Sequence, residues 1–406
     1  MLPSVLDLDF IQLVGKVFHY SCWFGVVGSG RPLWRVWSVV VLIMLVAIQI
    51  SAIWKVIRAL AGWTVDVSGS RSVTARLAGT MFYSNAILCH ILTSRIAASW
   101  EKQSNLWIAV ERAMTLNIPP DATIRRRLII VIIFMTVCGC AEHLMSVVSQ
   151  IDFDQPISAI LKQYTLNSHG FLLMNSTYSH WLALPLLFMS NIATILWNFQ
   201  DMIIILISLG LKSRYHRLNQ FVAKICANEK QKSQCDIFEP IRVYTWRKIR
   251  EAYVKQAMLV RTVDRRIGAV VMLSCFVNFY FICLQIFLGI TQASQGLFKQ
   301  IYYMTSLLWI ITRISSVVLV AADVNVYSKM ALKYLYGCHF KHYNIEINRL
   351  QTQLTRDYVA LSGLGFFTLT KTILLQMASS VITYELVLIQ FDNNESNDSV
   401  NSTKFD

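Results

Sequence analysis

The stretch FFTLTKTILLQMASSVITYELVLIQF, residues 366–391, decides the fold. It is apolar, with one mid-span charge at Glu385, and has about the ~20 residues that a helix needs to cross a bilayer core. Its polar residues are ordered. Gln376, Ser380, Thr383 and Gln390 recur at steps of four, three and seven, with Val387 filling the gap. On a helix of 3.6 residues per turn these five share one face. Hydrocarbon does not satisfy such a stripe, so it must face protein or water. Two readings fit: hydrogen bonding between helices, or a pore wall in which like helices from several subunits turn this face to a common axis.

The surrounding chain sets the class. Of 406 residues, 55% are hydrophobic and 15% charged, and the mean hydropathy is +0.48. This describes a polytopic helical membrane protein. Seven spans are predicted: 34–60, 78–99, 128–150, 181–211, 268–291, 300–325 and 366–391. Pro185 stands near the start of the fourth, where a kink is tolerable. Between the spans lie an N-terminal segment 1–33, connections 212–267 and 326–365, and a tail 392–406. No internal repeat is visible, which weighs against an inverted-repeat transporter.

The net charge of +14 is unevenly placed. Residues flanking spans on the N-terminal side carry 27 Lys and Arg, fourteen of them in 212–267, against five on the opposite side. That asymmetry puts the N-terminus in the cytoplasm and, with seven spans, the C-terminus outside. It explains the basic character without nucleic acid. Residues 1–15 carry Asp7 and Asp9 and no basic region, so the first span is expected to direct insertion itself. Asn-x-Ser/Thr sequons at Asn175, Asn394, Asn397 and Asn401 all fall on the predicted outer side. Asn175, Asn397 and Asn401 are the glycosylation candidates, since Asn394 lies nearest the bilayer.

Two inner connections look structured. Residues 212–267 mix basic side chains with regular apolar ones, as helices continuing below the membrane do. In 343–361, Ile347, Leu350, Leu354, Tyr358 and Leu361 form a stripe that lies on the bilayer surface or docks on partner helices. The nine cysteines make neither a disulfide framework nor a metal-type spacing. No nucleophile–base arrangement appears either. A metal, a cofactor and an enzymatic function are therefore not expected.

The run from Thr383 to Phe391 resembles the seventh-helix signature of insect gustatory receptors: Thr-Tyr, five mostly hydrophobic residues, then Gln-Phe. Glu385 departs from the apolar residue most members carry, and in this it is similar to the sugar-receptor branch. Trp197-Asn198-Phe199-x-Asp201, Trp246-Arg247 through Asp264, Asn278 to Gln285, and Val359 to Ser362 with Phe366-Phe367 resemble that branch too. Coverage is good from about residue 180 onward. The resemblance implies an all-α ligand-gated cation channel of the odorant-receptor superfamily in the plasma membrane. It further implies a homo- or heterotetramer with other gustatory receptors, opened by a small tastant. The fourfold last helix would line the pore, the outer helix halves would hold the ligand, and the inner helices would anchor the subunits.

Carried over by the motif, Gln390 and Phe391 stand at the closed pore's narrowest part, with Val387 one turn below. Phe391 and Val387 can exclude water, and Gln390 offers amide groups to a partly hydrated ion. Gln376, Ser380 and Thr383 continue that wall. Glu385 lies about 200° from Thr383 round the helix, off the axis. An ionisable residue there needs a partner. Arg313 suits by charge but sits roughly 10 Å deeper. Glu385 and Tyr384 are read instead as coupling ligand pocket to pore.

A sugar presents hydroxyls in fixed directions and apolar C–H faces, so its site should join amides or carboxylates to an aromatic platform. Candidates in the outer halves are Glu142, His143, Trp181, Asn191, Asn278, Tyr280, Gln285, Thr305 and Trp309. Asn198 and Asp201 lie in the inner half, where a fold-stabilising network is expected. A bitter or other small ligand remains the alternative within the superfamily. A G-protein-coupled receptor requires an outside N-terminus, against the charge asymmetry. A secondary transporter would account for a polar stripe but not for the lack of repeats.

Overall fold

A computed structural model describes residues 5–28, 32–63, 73–113, 116, 118–151, 156–170, 172–173, 178–231, 239–291, 297–337, 344–384 and 386. The described chain is helical almost throughout. Its helices are α1 (Val5–Tyr20), α2 (Pro32–Leu60), α3 (Val73–Ala113), α4 (Ile124–Val148), α5 (Ile157–Ser168) and α6 (His180–Gln231). They continue as α7 (Glu239–Thr291), α8 (Leu297–Lys329), α9 (Ala331–Leu335) and α10 (Ile345–Arg356). A two-residue hairpin pairs β1 (Ser362–Gly363) with β2 (Phe367–Thr368), and a last helix, α11, runs over 371–384.

Five helices among the described residues are long and apolar enough to cross a membrane by length and composition. They are α2, α4 and parts of α6, α7 and α8, matching five of the predicted spans. The predicted second span lies inside α3, which continues unbroken to Ala113. Its polar residues, Asn85, His90 and Thr93 among them, are buried, so polarity here is interior rather than lipid-facing. The seventh span is corrected at its start. Residues 366–370 are not helical, because the chain first turns through the hairpin, with Leu364 and Gly365 at positive φ.

The exposure pattern explains the layering. In α2 only Val41, Leu45, Gln49 and Ala52 are buried, a stripe with steps of four, four and three. The remaining surface of α2 exposes Val36, Ile43, Ile50 and Ile57, as a lipid-facing helix does. By contrast α6 is buried on every side from Asp201 to Leu211, the mark of a central helix. It packs closely on α8, α4, α3 and α7. Gly210 permits the tightest approach, since a Cβ there would stand 2.4 Å from the Phe10 ring of α1.

Beyond the apolar windows the helices are tied by charge. Arg214 and Arg217 of α6 reach Glu111 of α3 at 2.8 and 3.0 Å. The amphipathic stripe in 343–361 resolves in favour of docking. Ile347, Leu350 and Leu354 of α10 are buried within the same chain, whereas Tyr358 is half exposed. Asn344 caps α10 by accepting from the Glu346 and Ile347 N–H groups at 3.1 and 3.0 Å. Glu346 then binds Arg250 of α7 at 2.8 Å and Arg349 at 2.6 Å, and the Arg250 hydrogen bond holds its carboxyl below the usual range.

Candidate functional site

A cavity of about 550 Å³ opens between α3, α4, α5, α6, α7 and α8, within the size range of small-molecule sites. Three helices meet in one polar relay on its wall. Ser306 of α8 donates to Glu142 of α4 at 2.7 Å, and Gln285 of α7 donates its amide to Ser306 at 2.9 Å. The Gln285 Oε1 is buried without a hydrogen-bond partner among the described residues. A buried acceptor left open costs on the order of 1–3 kcal/mol, so the wall is ready for a donor. Aromatic faces surround the relay: Phe82 and Tyr83 of α3, Trp197 of α6, Phe281 of α7, and Tyr302, Tyr303 and Trp309 of α8.

The cavity floor is a charged network. Arg313 of α8 stands 2.8 Å from Asp201 of α6, and both side chains are essentially fully buried. Arg313 also donates to Asn198 at 2.9 Å and to Asn278 at 2.6 Å, and its guanidinium lies 4.4 Å from the Trp197 ring centre. Asp201 accepts from Ser274 and Asn278. Charges this deep persist only when paired and hydrogen-bonded. Trp309 joins through Asn198 at 3.3 Å. Gly139 of α4 makes room for this layer, since a Cβ there would meet the Asn198 amide at 3.1 Å.

The sequence candidates separate by place. Glu142, His143, Gln285 and Trp309 line the cavity together. Asn191 stands behind His143, its Oδ1 2.8 Å from the imidazole Nε2. Asn278 belongs to the floor network. Trp181 is 87% exposed on the outer surface, where an interfacial indole is comfortable. Tyr280 and Thr305 are half-buried away from the cavity lining. Asn198 and Asp201 form the expected stabilising network, and Asp201 supplies the partner that Arg313 lacked in the sequence reading. Residues not anticipated include Trp197, Ser306 and Arg313. The i, i+3 and i, i+4 spacing of Tyr302, Ser306, Trp309 and Arg313 along α8 was the available signal.

Along α11, Ile373, Leu374, Met377 and Val381 pack on the core. Gln376, Ser380 and Thr383 lie exposed on another face of the same helix. Tyr384 is half exposed. Glu385, Val387, Gln390, Phe391 and the sequons at Asn175, Asn394, Asn397 and Asn401 lie outside the described residues.

The trehalose receptor family model matches residues 31–400. The chain belongs to the trehalose receptor family. It is a gustatory receptor of the sugar branch and a multi-pass membrane protein. This receptor is 29% identical over 333 residues to the Drosophila melanogaster gustatory receptor for sugar taste 64a, covering 79% of this chain and 70% of that one. It is 30% identical over 300 residues to the Drosophila melanogaster gustatory receptor 5a for trehalose, covering 73% of this chain and 65% of the relative. The fold of the receptor is similar to that of the insect olfactory receptor OR5 from Machilis hrabei. The TM-score is 0.66 at 13% identity, over 94% of this chain and 100% of OR5. The structure of that olfactory receptor in complex with eugenol gives a TM-score of 0.64. The resemblance of residues 383–391 and the family match thus agree, and the sugar branch is a receptor family rather than an enzyme family.

Proposed function

We propose that this receptor is a ligand-gated, non-selective cation channel opened by a sugar. It acts as a homo- or heterotetramer with its N-terminus in the cytoplasm of a plasma membrane. The observation that carries the reading is the relay of Glu142, Ser306 and Gln285, set among aromatic faces in one cavity. A sugar offers a donor to each open oxygen and a C–H face to each ring. It therefore bridges α4, α7 and α8 at once. Relatives named for sugar taste and for trehalose support this choice of ligand.

The exposed stripe of Gln376, Ser380 and Thr383 supports the pore role of α11. Exposed polar groups on a membrane helix need water or a protein neighbour, and a shared aqueous axis supplies both. Gln390, Phe391 and Val387 complete that axis as filter and gate. The link from cavity to pore runs along α7, whose Gln285 lines the cavity, towards Tyr384 of α11. Glu385, beside Tyr384, belongs to the same link.

The test is expression of the full chain, with surface labelling, and recording of currents and calcium entry against a panel of mono- and disaccharides. At least one sugar should evoke current with the chain alone or with a second gustatory receptor. Gln390→Glu should change relative cation permeability at unchanged surface level. Silence to every sugar in both arms, with surface expression demonstrated, overturns the sugar reading.

A further inference from the structure

A second concave site lies at the opposite end of the helices from the ligand cavity. There α6 runs alongside the last two turns of α8, with Lys212 paired to Asp323 at 2.6 Å. One open groove of about 440 Å³ is lined there by Lys329, Lys333 and Lys371 together with Asp323 of that pair, Tyr327 and Met330. Three separate elements supply the lysines: the end of α8, α9 and the first residue of α11.

Three ammonium groups in one groove repel one another and call for an anion. Among the described residues none of the three has a carboxylate in ion-pair range, and Asp323 is already engaged by Lys212. Lys329 leans over the Tyr358 ring at 5.3 Å, which orders it without neutralising it. Above the groove the surface changes character. Val326 and Leu319 of α8, one heptad apart, are 45% and 42% exposed, and Leu375, one turn beyond Lys371, is 73% exposed. A cationic groove continuing into an exposed apolar strip matches an amphiphile with an anionic head and an acyl tail.

We infer that Lys329, Lys333 and Lys371 form a binding site for the multiply phosphorylated headgroup of an inner-leaflet phosphoinositide. The inference rests on the orientation proposed above, which puts this end of the helices at the cytoplasmic face. Basic pockets at the cytoplasmic ends of membrane helices take such headgroups. A single negative charge would leave the groove cationic, and a polyphosphorylated head balances it. Because Lys371 opens the proposed pore helix, an occupied groove ties that helix to α8 and α9.

The test uses the purified full chain in phosphatidylcholine nanodiscs, titrated with fluorescent phosphatidylinositol 4,5-bisphosphate. The triple variant K329Q/K333Q/K371Q should bind far more weakly, by about fivefold for each lysine removed. The arginine triple K329R/K333R/K371R, which keeps the charge, should retain binding. Lys224→Gln, an exposed lysine elsewhere on α6, controls for general surface charge and should bind as the parent does. Should the glutamine triple fail to give a monodisperse peak, K371Q alone still reads the site by its fivefold loss. Soluble inositol 1,4,5-trisphosphate should compete only weakly, since it lacks the tail. Undiminished lipid binding by K371Q and the triple, or equal loss in Lys224→Gln, overturns the site. Competition by the soluble head as strong as by the lipid overturns its assignment to a membrane lipid. Binding is read without any sugar or current, so it stands or falls apart from the gating proposal.

Discussion

Replacing Arg313 by methionine tests the charged floor of the cavity most directly. The substitution keeps length and apolar bulk and removes the guanidinium that faces Asp201 at 2.8 Å. Asp201 retains Ser274 and Asn278 as donors but loses its countercharge in a site with no exposed surface. Breaking one side of a buried pair costs roughly 3–5 kcal/mol. At about 1.4 kcal/mol per decade, that is two to three and a half decades in the folding equilibrium. Replacing both partners, as D201L/R313M, removes the stranded charge but leaves Asn198, Asn278 and Ser274 short of partners. The double variant should therefore recover only part of the loss, with a coupling energy of roughly 2–3 kcal/mol. The assay is denaturant-titrated unfolding in mixed micelles, followed by tryptophan fluorescence, on the parent, both single variants and the double. A loss below about 1 kcal/mol in Arg313→Met, or strictly additive losses, would refute the pairing.

Glu142→Gln keeps the shape of the relay and removes its charge, so the sugar concentration for half-maximal current should rise by about tenfold, the scale of one hydrogen bond to a charged group. An unchanged dose–response at equal surface level would take Glu142 out of the ligand site. Gly210→Ala drives a methyl into the Phe10 ring and should cost about 1–3 kcal/mol of stability, with recovery on adding Phe10→Leu. If Gly210→Ala is neutral by the same unfolding assay, α1 does not dock there. Glu346, held by Arg250 and Arg349, has its folded pKa below the ordinary 4.5. Its contribution is complete above about pH 4.5 and is lost as pH falls through the lower folded value. Glu346→Gln should therefore flatten the acid limb of the stability profile, and an unaltered limb would show that the α7–α10 tie is not what acid releases.

Much of this architecture is written in apolar runs, because lipid imposes a length and composition that water does not. The 29-residue α2 and the 33-residue α8 are legible for that reason. α3 is harder to bound, since its Asn85, His90, Thr93 and Gln103 are buried against other helices and lower its apparent hydropathy. The hairpin at 362–368 also escaped the reading. Nothing in Phe366-Phe367 announces a turn, and what holds the hairpin is remote: Asp264 of α7 accepts from the Ser362 N–H and hydroxyl at 2.6 and 2.8 Å. The cavity was half legible. Depth and residue type single out Glu142, Asn278, Gln285 and Trp309, of which Asn278 falls in the floor network, and only the packing of α8 on α4 and α7 shows that Ser306 joins Glu142 and Gln285. Depth separates Arg313 from Glu385, but its actual partner, Asp201, comes from a helix that sequence spacing cannot bring alongside.

The length of α6 has a mechanical consequence. At 1.5 Å per residue its 52 residues make a rod of about 78 Å, against a hydrocarbon core of about 30 Å. Its one proline, Pro185, lies on the far side of the cavity from the inner end, and the notch at Gly210 is filled by Phe10, so the shaft below Asn198 has no hinge of its own. From Asn198 to Gln231 the arm is roughly 50 Å, and a tilt of about 5° at the cavity sweeps its tip by on the order of 4 Å. On the function proposed above, a sugar that tilts this shaft at the cavity is read out at the far end of α6 with leverage, by a beam stiff enough not to absorb the stroke.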